Sequence, residues 1–371
     1  MKIIVIGVSI GGLCAGIALQ ERGFDVDIYE RSPRELKDRG AGLVIQPDMM
    51  EYLIEAGVST REVFGVLAAQ RQVLDDHGNP SLIYPNDTVF TSWNYLWGQL
   101  KNSFPSSRYH KGYELTGVRN EQGQVWANFK NGKVVQADLL IGADGVNSAV
   151  REYLFPGVHP RYAGYIAYRG LIPESELSAE EIAFFSDKFS IYQYANSHLL
   201  CYTIPGSGGG LSEGERQLNW VWFQNKSLAA LKDILTDKHG IHHEFSLPAG
   251  YLSEVNLSEL RARAGAKLPE VLRKRVCQTK NPFVQVILDM EVPKMFKGQV
   301  AILGDAAYLV RPHTASGSAK AYRDAITLAM AIQDKGNLQT SLEIWSDQQI
   351  GHARALAIHG RQLALRSHLG K

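Results

Sequence analysis

The chain has 371 residues, 45% of them hydrophobic, and a formal net charge of +1; this is enough apolar material for a large core and points to two domains. A balance so near neutral gives no argument for nucleic acid or an anionic membrane as partner, and no run approaches the roughly 20 apolar residues of a membrane span. Cys14, Cys201 and Cys277 are far apart and form no CxxC pair, which argues against a disulfide framework and a thiolate metal site and fits a reducing cytoplasm.

The run KIIVI (Lys2 to Ile6) is continuously apolar, as a parallel strand covered on both faces should be. It leads into GVSIGG. LCAGIALQERG then spaces Leu13, Ile17 and Ala18 as a helix does and ends at Gly23, and DVDIYERS reads as the next strand. Together these form a βαβ unit. Short strands with turn signals follow between Gln70 and Ser92, and SWNYLWGQLKNSF reads as a helix. VWANFKNGKVVQADLLIGADG holds an Asn131-Gly132 hairpin and then an apolar strand. From Arg161 to Phe223 aromatic runs of strand character dominate, and 226–275 is mainly helical or irregular. QVAILGD is a last buried strand, and the tail to Lys371 is helical.

Three motifs carry chemistry. Gly7-Val8-Ser9-Ile10-Gly11-Gly12 lies between a strand and a helix, where a dinucleotide fingerprint must lie. Gly7 permits the tight turn, Gly12 permits close packing, and the helix N-terminus offers N–H groups to a pyrophosphate. Glu30 ends the second strand roughly 20 residues later, where a carboxylate can accept both ribose hydroxyls. The pattern does not distinguish FAD from NAD, and a purely structural glycine turn would look similar.

The second motif, Asp144-Gly145-Val146-Asn147-Ser148-Ala149-Val150-Arg151, follows the strand LLIGA. Its Ser148 and Arg151 stand at one-turn spacing at a helix start. The third is GDAAYLVRPHTASGSAK, Gly304 to Lys320. Asp305 ends a strand, where it can hold a polyol hydroxyl. The small residues Thr314 to Ser318 let a flat ligand approach the backbone, and the following helix N-terminus favours negative charge on it. A flexible loop before a helix is the simpler alternative.

In this order, and over nearly the whole chain, the three motifs resemble the single-component flavin-dependent aromatic hydroxylases, which share the para-hydroxybenzoate hydroxylase fold. YERSP, GAGLVIQPDMMEYLIEAGV, RYH and YAGYIAYRG strengthen the likeness. The resemblance implies an α/β protein: a Rossmann-like FAD-binding domain (1–69, 93–160 and 280–371) with a β-sheet-rich substrate domain inserted (70–92 and 161–279). Gly7, Ser9, Ile10 and Gly12 would cradle the FAD pyrophosphate. Glu30 and Arg31 would hold the adenosine, and Gln46 would lie near the flavin. Asp144 would assist FAD and the visiting nicotinamide cofactor. Asp305 would bind the ribityl chain, and Pro312, Ala315 and Gly317 would line the isoalloxazine. The chain departs from the family pattern at Ser9, at Trp93 in place of a frequent arginine, and over Ala315 to Lys320.

The implied activity is hydroxylation of a small electron-rich aromatic or N-heteroaromatic ring of hydroxypyridine type. Non-covalent FAD, NADH or NADPH, and O2 would act through a flavin C4a-hydroperoxide, without a metal. An oxidase, dehydrogenase or halogenase on the same fold, or a flavin-binding redox sensor, stays open; the tryptophan-rich halogenase motif is absent. A homodimer is admitted. Activating a ring hydroxyl suits a group of near-neutral pKa, so His313 is the candidate catalytic and substrate-contacting residue, although it could equally support the loop. Tyr192, Tyr202, Trp220 and Trp222 stand on alternating strands. Most such aromatics belong to the core; Tyr192, Tyr202 and Trp222 are the candidates for contact with a planar substrate.

Overall fold

The computed structural model describes residues 1–36, 41–60, 64–333 and 336–370. Gly40, which opens GAGLVI, and Lys371 lie outside them. The apolar run Lys2–Ile6 is the centre of a six-stranded sheet, parallel to Leu139–Gly142 on one side and Asp25–Glu30 on the other. Val300–Ile302 and Tyr109–Lys111 extend it in parallel, and Phe296–Lys297 closes one edge antiparallel. Ile3, Ile4 and Val5 are fully buried in the core that helix Ile10–Glu21 and the strands Gln124–Phe129 and Val134–Ala137 share with this sheet. The expected Asn131-Gly132 turn, with Gly132 at φ +83°, joins Gln124–Phe129 to Val134–Ala137 in a separate three-stranded sheet.

The aromatic runs build a second, larger sheet. Its central strands are Arg161–Pro173, Gln217–Asn225, Ser197–Ile204 and Lys188–Tyr194, antiparallel in that order. Val66–Leu74, Pro80–Ser92 and Gly42–Ile45 continue it on one side, and Phe283–Glu291 with Ser246–Leu247 on the other. The strand pairings do not follow the expected division at 69/70 and 279/280. Val66–Leu74 runs across the first boundary, and both Gly42–Ile45 and Phe283–Glu291 belong to the large sheet. A strand joins the sheet whose edge it can hydrogen-bond, and neither short segment carries a local signal of which sheet that is. Helices Glu254–Lys267 and Glu270–Gln278 cover the far face, where Leu260, Leu272 and Val276 pack on Trp220 and Trp222. Among the described residues no helix is long and apolar enough to cross a membrane.

Gly42 ties its edge strand back onto the face of the same large sheet. Its N–H donates to Asn219 Oδ1 at 3.1 Å, and its carbonyl accepts from Arg169 at 3.0 Å and Tyr202 Oη at 3.1 Å. A Cβ on Gly42 would press into the Tyr202 ring. Gly42→Ala is therefore expected to cost about 1–3 kcal/mol, the range for overpacking a filled site; a lowered melting temperature in a thermal scan checks it.

Candidate active site

The turn after the first strand has the shape a dinucleotide needs. Gly7 adopts φ +99°, and its N–H donates to the Tyr29 carbonyl at 2.8 Å. A Cβ at Gly7 would meet the Ala143 backbone, and one at Gly12 would meet the Gly7 carbonyl. Trp97 Nε1 donates to the Val8 carbonyl at 2.9 Å and braces the turn from the side. Gly7 and Gly12 thus shape the cradle from behind, while Ser9, Ile10 and Gly11, at the start of helix Ile10–Glu21, line the cavity. The free N–H groups of that helix end face the cavity mouth.

Glu30 is buried behind this turn. One carboxylate oxygen accepts from Val8 N at 3.3 Å and the other from Ser32 N at 2.9 Å. Each oxygen keeps a further lone pair. Arg31 is exposed and lines the cavity. Gln46, the N-cap of helix Pro47–Glu55, lines it too. Asp144 does not. It accepts from Ser148 Oγ at 2.5 Å and from Val150 N at 3.2 Å, and so organises the start of helix Ala149–Leu154, while its neighbours Gly145 and Val146 face the cavity. Arg151 is buried and spends its guanidinium on the carbonyls of Val146, Val158 and Ala306.

Across the cavity stands the third motif. Asp305 lines the cavity and is exposed to it. The protein packed around the cavity floor pushes its pKa up, Lys320 draws it down and Asp324 raises it. Pro312, His313, Ala315 and Gly317 line the same wall. Ala315 sits at φ +52°, in the left-handed region, where an alanine costs about 1–2 kcal/mol.

The cavity-facing side of the large sheet closes the far end with Ala167, Leu200, Tyr202, Val221, Phe223, Gln285 and Ile287. Tyr202 is where it was expected. Tyr192 and Trp222 are not, and this corrects their assignment as substrate contacts. In the strand register Tyr192 pairs with Leu199 and Leu199 with Trp222. The row points to the opposite face, into the core with Trp220. Successive side chains of a strand point to opposite faces, so a pocket that takes Leu200 and Val221 excludes Leu199 and Trp222.

His313 Nε2 lies 2.7 Å from Tyr165 Oη, a partner the sequence did not nominate. The Phe223 ring is 4.7 Å away and the His198 ring 5.2 Å. Burial, then the neighbouring His198 and Arg311, push the His313 pKa down to about 3. Burial alone takes His198 down to about 4. His198 Nδ1 is 2.9 Å from Ser367 Oγ, and Arg311 is paired with Asp289 at 2.7 Å. Tyr165 and His198 sit beside His313 through strand pairing, and Ser367 reaches His198 from the docked chain end, which local motifs do not encode.

The residues present fit FAD. The cavity measures ≈ 1820 Å³, above the ~300–1,000 Å³ of ordinary small-molecule pockets, so a dinucleotide and a second ring can occupy it together. Its nucleotide end is a glycine cradle that no side chain could fill.

One cavity joining a nucleotide cradle to a ring-sized apolar pocket is the arrangement of a flavin monooxygenase. The chain belongs to that family, the FAD-dependent aromatic hydroxylases. It is 36% identical over 355 residues to the 2,6-dihydroxypyridine 3-monooxygenase of Paenarthrobacter nicotinovorans, covering 95% of this chain and 88% of that protein. It is 25% identical to the 6-hydroxynicotinate 3-monooxygenase of Pseudomonas fluorescens, covering 90% and 83%. The structure of 2,6-dihydroxypyridine-3-hydroxylase from Arthrobacter nicotinovorans matches with a TM-score of 0.93 at 35% identity, covering 98% of this chain and 92% of that one. A family model described as FAD binding domain-like matches residues 162–289. The cofactor is FAD, with NADH or NADPH as reductant and O2 as oxygen source, and the substrate is a small aromatic molecule.

Two expectations follow. Ala315→Gly removes the left-handed strain and adds about 0.4–1 kcal/mol of unfolded-state entropy, so the melting temperature should hold or rise, where Ala→Gly ordinarily lowers it. His198 and His313 are neutral when folded but take protons near pH 6.5 when unfolded. The unfolded state then binds more protons below that pH, and stability falls as pH drops from about 6.5 toward 4, by at most about 1.4 kcal/mol per unit for each group. Urea unfolding at several pH values checks this, and His198→Asn should flatten the slope.

Proposed function

We propose that the chain hydroxylates a small, electron-rich N-heteroaromatic ring bearing a hydroxyl, of hydroxypyridine type. Its likeness to relatives named for dihydroxypyridine and hydroxynicotinate supports the ring class. The observation that carries the reading is His313 on the cavity wall beside the apolar Phe223 and Val221, paired from behind with the buried Tyr165. Bound FAD, reduced by the nicotinamide cofactor, supplies the oxygen activation. The chain's task is to hold the ring, polarise its hydroxyl and keep water out.

His313 is suited to polarising it. Its low pKa leaves it neutral at pH 7, with one ring proton. Burial raises the Tyr165 pKa, so the phenol keeps its proton. A phenol is the better donor and an imidazole nitrogen the better acceptor, so Tyr165 donates to Nε2. The ring proton then resides on Nδ1, and His313 becomes a hydrogen-bond donor to a ring oxygen of the substrate. Donation to an oxyanion favours the ionised, more electron-rich ring. Tyr202, Gln285 and the apolar residues shape the pocket. In this reading Gly7, Ser9, Ile10 and Gly12 serve the pyrophosphate, Glu30 and Arg31 the adenosine, Gln46, Pro312, Ala315 and Gly317 the isoalloxazine, and Asp305 the ribityl chain. Asp144 acts indirectly, through the turn that carries Gly145. A cytoplasmic location is part of the proposal, supported by the three free cysteines.

NAD(P)H oxidation stimulated by hydroxylated pyridines, with a product heavier by one oxygen, is the expected result. Bound flavin without stimulated turnover would favour the redox-sensor alternative. His313→Ala should keep its flavin and lose about 10²-fold or more in stimulated turnover. Tyr165→Phe frees the tautomer and should lose less. A His313→Ala variant with unchanged turnover, substrate affinity and coupling would remove His313 from the mechanism.

A further inference from the structure

Helix Gly317–Gln333 carries an ion pair that faces away from the cavity. Lys320 and Asp324, one turn apart, are 2% and 0% exposed, and their charged groups meet at 2.6 Å. Lys320 Nζ also donates to the Gly304 carbonyl at 3.2 Å, and the Gly304 N–H donates to Asp324 Oδ2 at 2.9 Å. From the last helix, Leu338–Arg366, Trp345 Nε1 donates to the Asp324 carbonyl at 3.0 Å. One ion pair therefore holds both backbone polar groups of Gly304, which adopts φ +61° and precedes Asp305. A buried ion pair is a poor way to gain stability, because desolvation cancels most of the attraction. Two apolar side chains would fill this space, but neither could grip the N–H and the carbonyl of the same residue.

We propose that Lys320 is a positioning residue for FAD: it holds Gly304 so that Asp305 faces the cavity, and it places a positive charge near that carboxylate. The inference rests on Asp305 as the ligand of the flavin's polyol chain. The charges acting on Asp305 are Lys320, which lowers its pKa, and Asp324, which raises it more weakly. Arg151 reaches the neighbouring Ala306 carbonyl at 3.2 Å. His352, which faces Lys320 and Asp324 from the last helix, has its pKa lowered by burial and adds no charge at neutral pH. Without Lys320 the one attraction that lowers the Asp305 pKa is gone, and the pKa rises. The carboxyl then takes a proton at a higher pH than in the parent, and its hydrogen bonds to hydroxyls lose their charge assistance, about half their strength.

The test is flavin release from the full-length holoenzyme on dilution, followed by recovery of free-flavin fluorescence between about pH 5.5 and 8. Lys320→Met should release flavin about tenfold faster than the parent near pH 6, as loss of a charge-assisted bond requires, with the difference shrinking toward pH 8. Lys320→Met leaves Asp324 buried and unpaired, which can prevent folding. The double variant Lys320→Met/Asp324→Asn removes that charge and should retain the acid-sensitive release. A double variant that follows the parent at every pH, or is faster by one factor at all pH values, overturns the proposal. Asp305→Asn isolates the underlying reading: release as slow as the parent's would show that Asp305 is not the polyol ligand, and the role of Lys320 would fall with it.

Discussion

The central strands of the large sheet are buried on both faces, and the two faces have different work to do. Tyr192, Leu199, Trp222 and Tyr168 form one cross-strand row on the far face, packed under two helices. Gln285, Ala167, Phe223 and His198 form a neighbouring row on the other, one residue out of step, and it meets His313. A slip of one residue would exchange the rows, putting indoles in the pocket and small residues in the core. The register is held by bulk. Trp220 lies against Gly170 so closely that a Cβ there would enter its indole, and its Nε1 donates to Thr279 at 2.8 Å. Aromatic side chains of this size bury roughly 150–250 Å² each, so the far face fixes what the near face can present.

The pocket wall is also held from behind, by the end of the chain. Leu369 is fully buried beside Tyr165 and Phe223. Ser367 Oγ meets His198 Nδ1, and Gln193 Nε2 donates to the same hydroxyl at 3.0 Å. Gly370 N donates to Asn225 Oδ1 at 2.9 Å. These contacts set His198, which sets the surroundings of His313. The low pKa of both imidazoles follows first from this enclosure, with His198 and Arg311 adding to it at His313, and the C-terminal residues support the cavity wall from behind.

The parts of this architecture that depend on neighbours in sequence were legible. A buried strand, a glycine turn, a helix and a strand ending in an acid make one local pattern, and the structure has it from Lys2 to Glu30. Asp305 at a strand end and the small residues after Pro312 could be read in the same way. The face of the large sheet could not. Where both faces are dry there is no polar–apolar alternation to mark the inside, and Tyr192, Tyr202 and Trp222 looked equivalent although only Tyr202 reaches the cavity. Tyr165 and His313 are 148 residues apart in the chain, so their meeting is a property of the topology. Lys320 and Asp324 stand at i, i+4, a spacing that normally marks a solvated helix face, and nothing local reveals that this pair is buried.

The three departures from the family pattern have three different physical meanings. Ser9 takes the place of a glycine at φ −69° and ψ −177°, an extended conformation open to any residue, so a small side chain suffices there and Gly7 alone carries the left-handed turn. Trp93 faces the cavity where a cation is common, and it stacks on Trp97 at 5.8 Å, whose indole holds the Val8 carbonyl. What the turn gives up in charge on that side it regains in rigidity. Ala315 is the costly one, a side chain in a backbone conformation that favours glycine. That strain is sustained by the residues on either side. Pro312 fixes the entry to the loop, and helix Gly317–Gln333, clamped to Gly304 through Lys320 and Asp324, fixes the exit. The loop proposed to lie against the flavin is thus held in shape from outside, and its own sequence has to satisfy little beyond staying small.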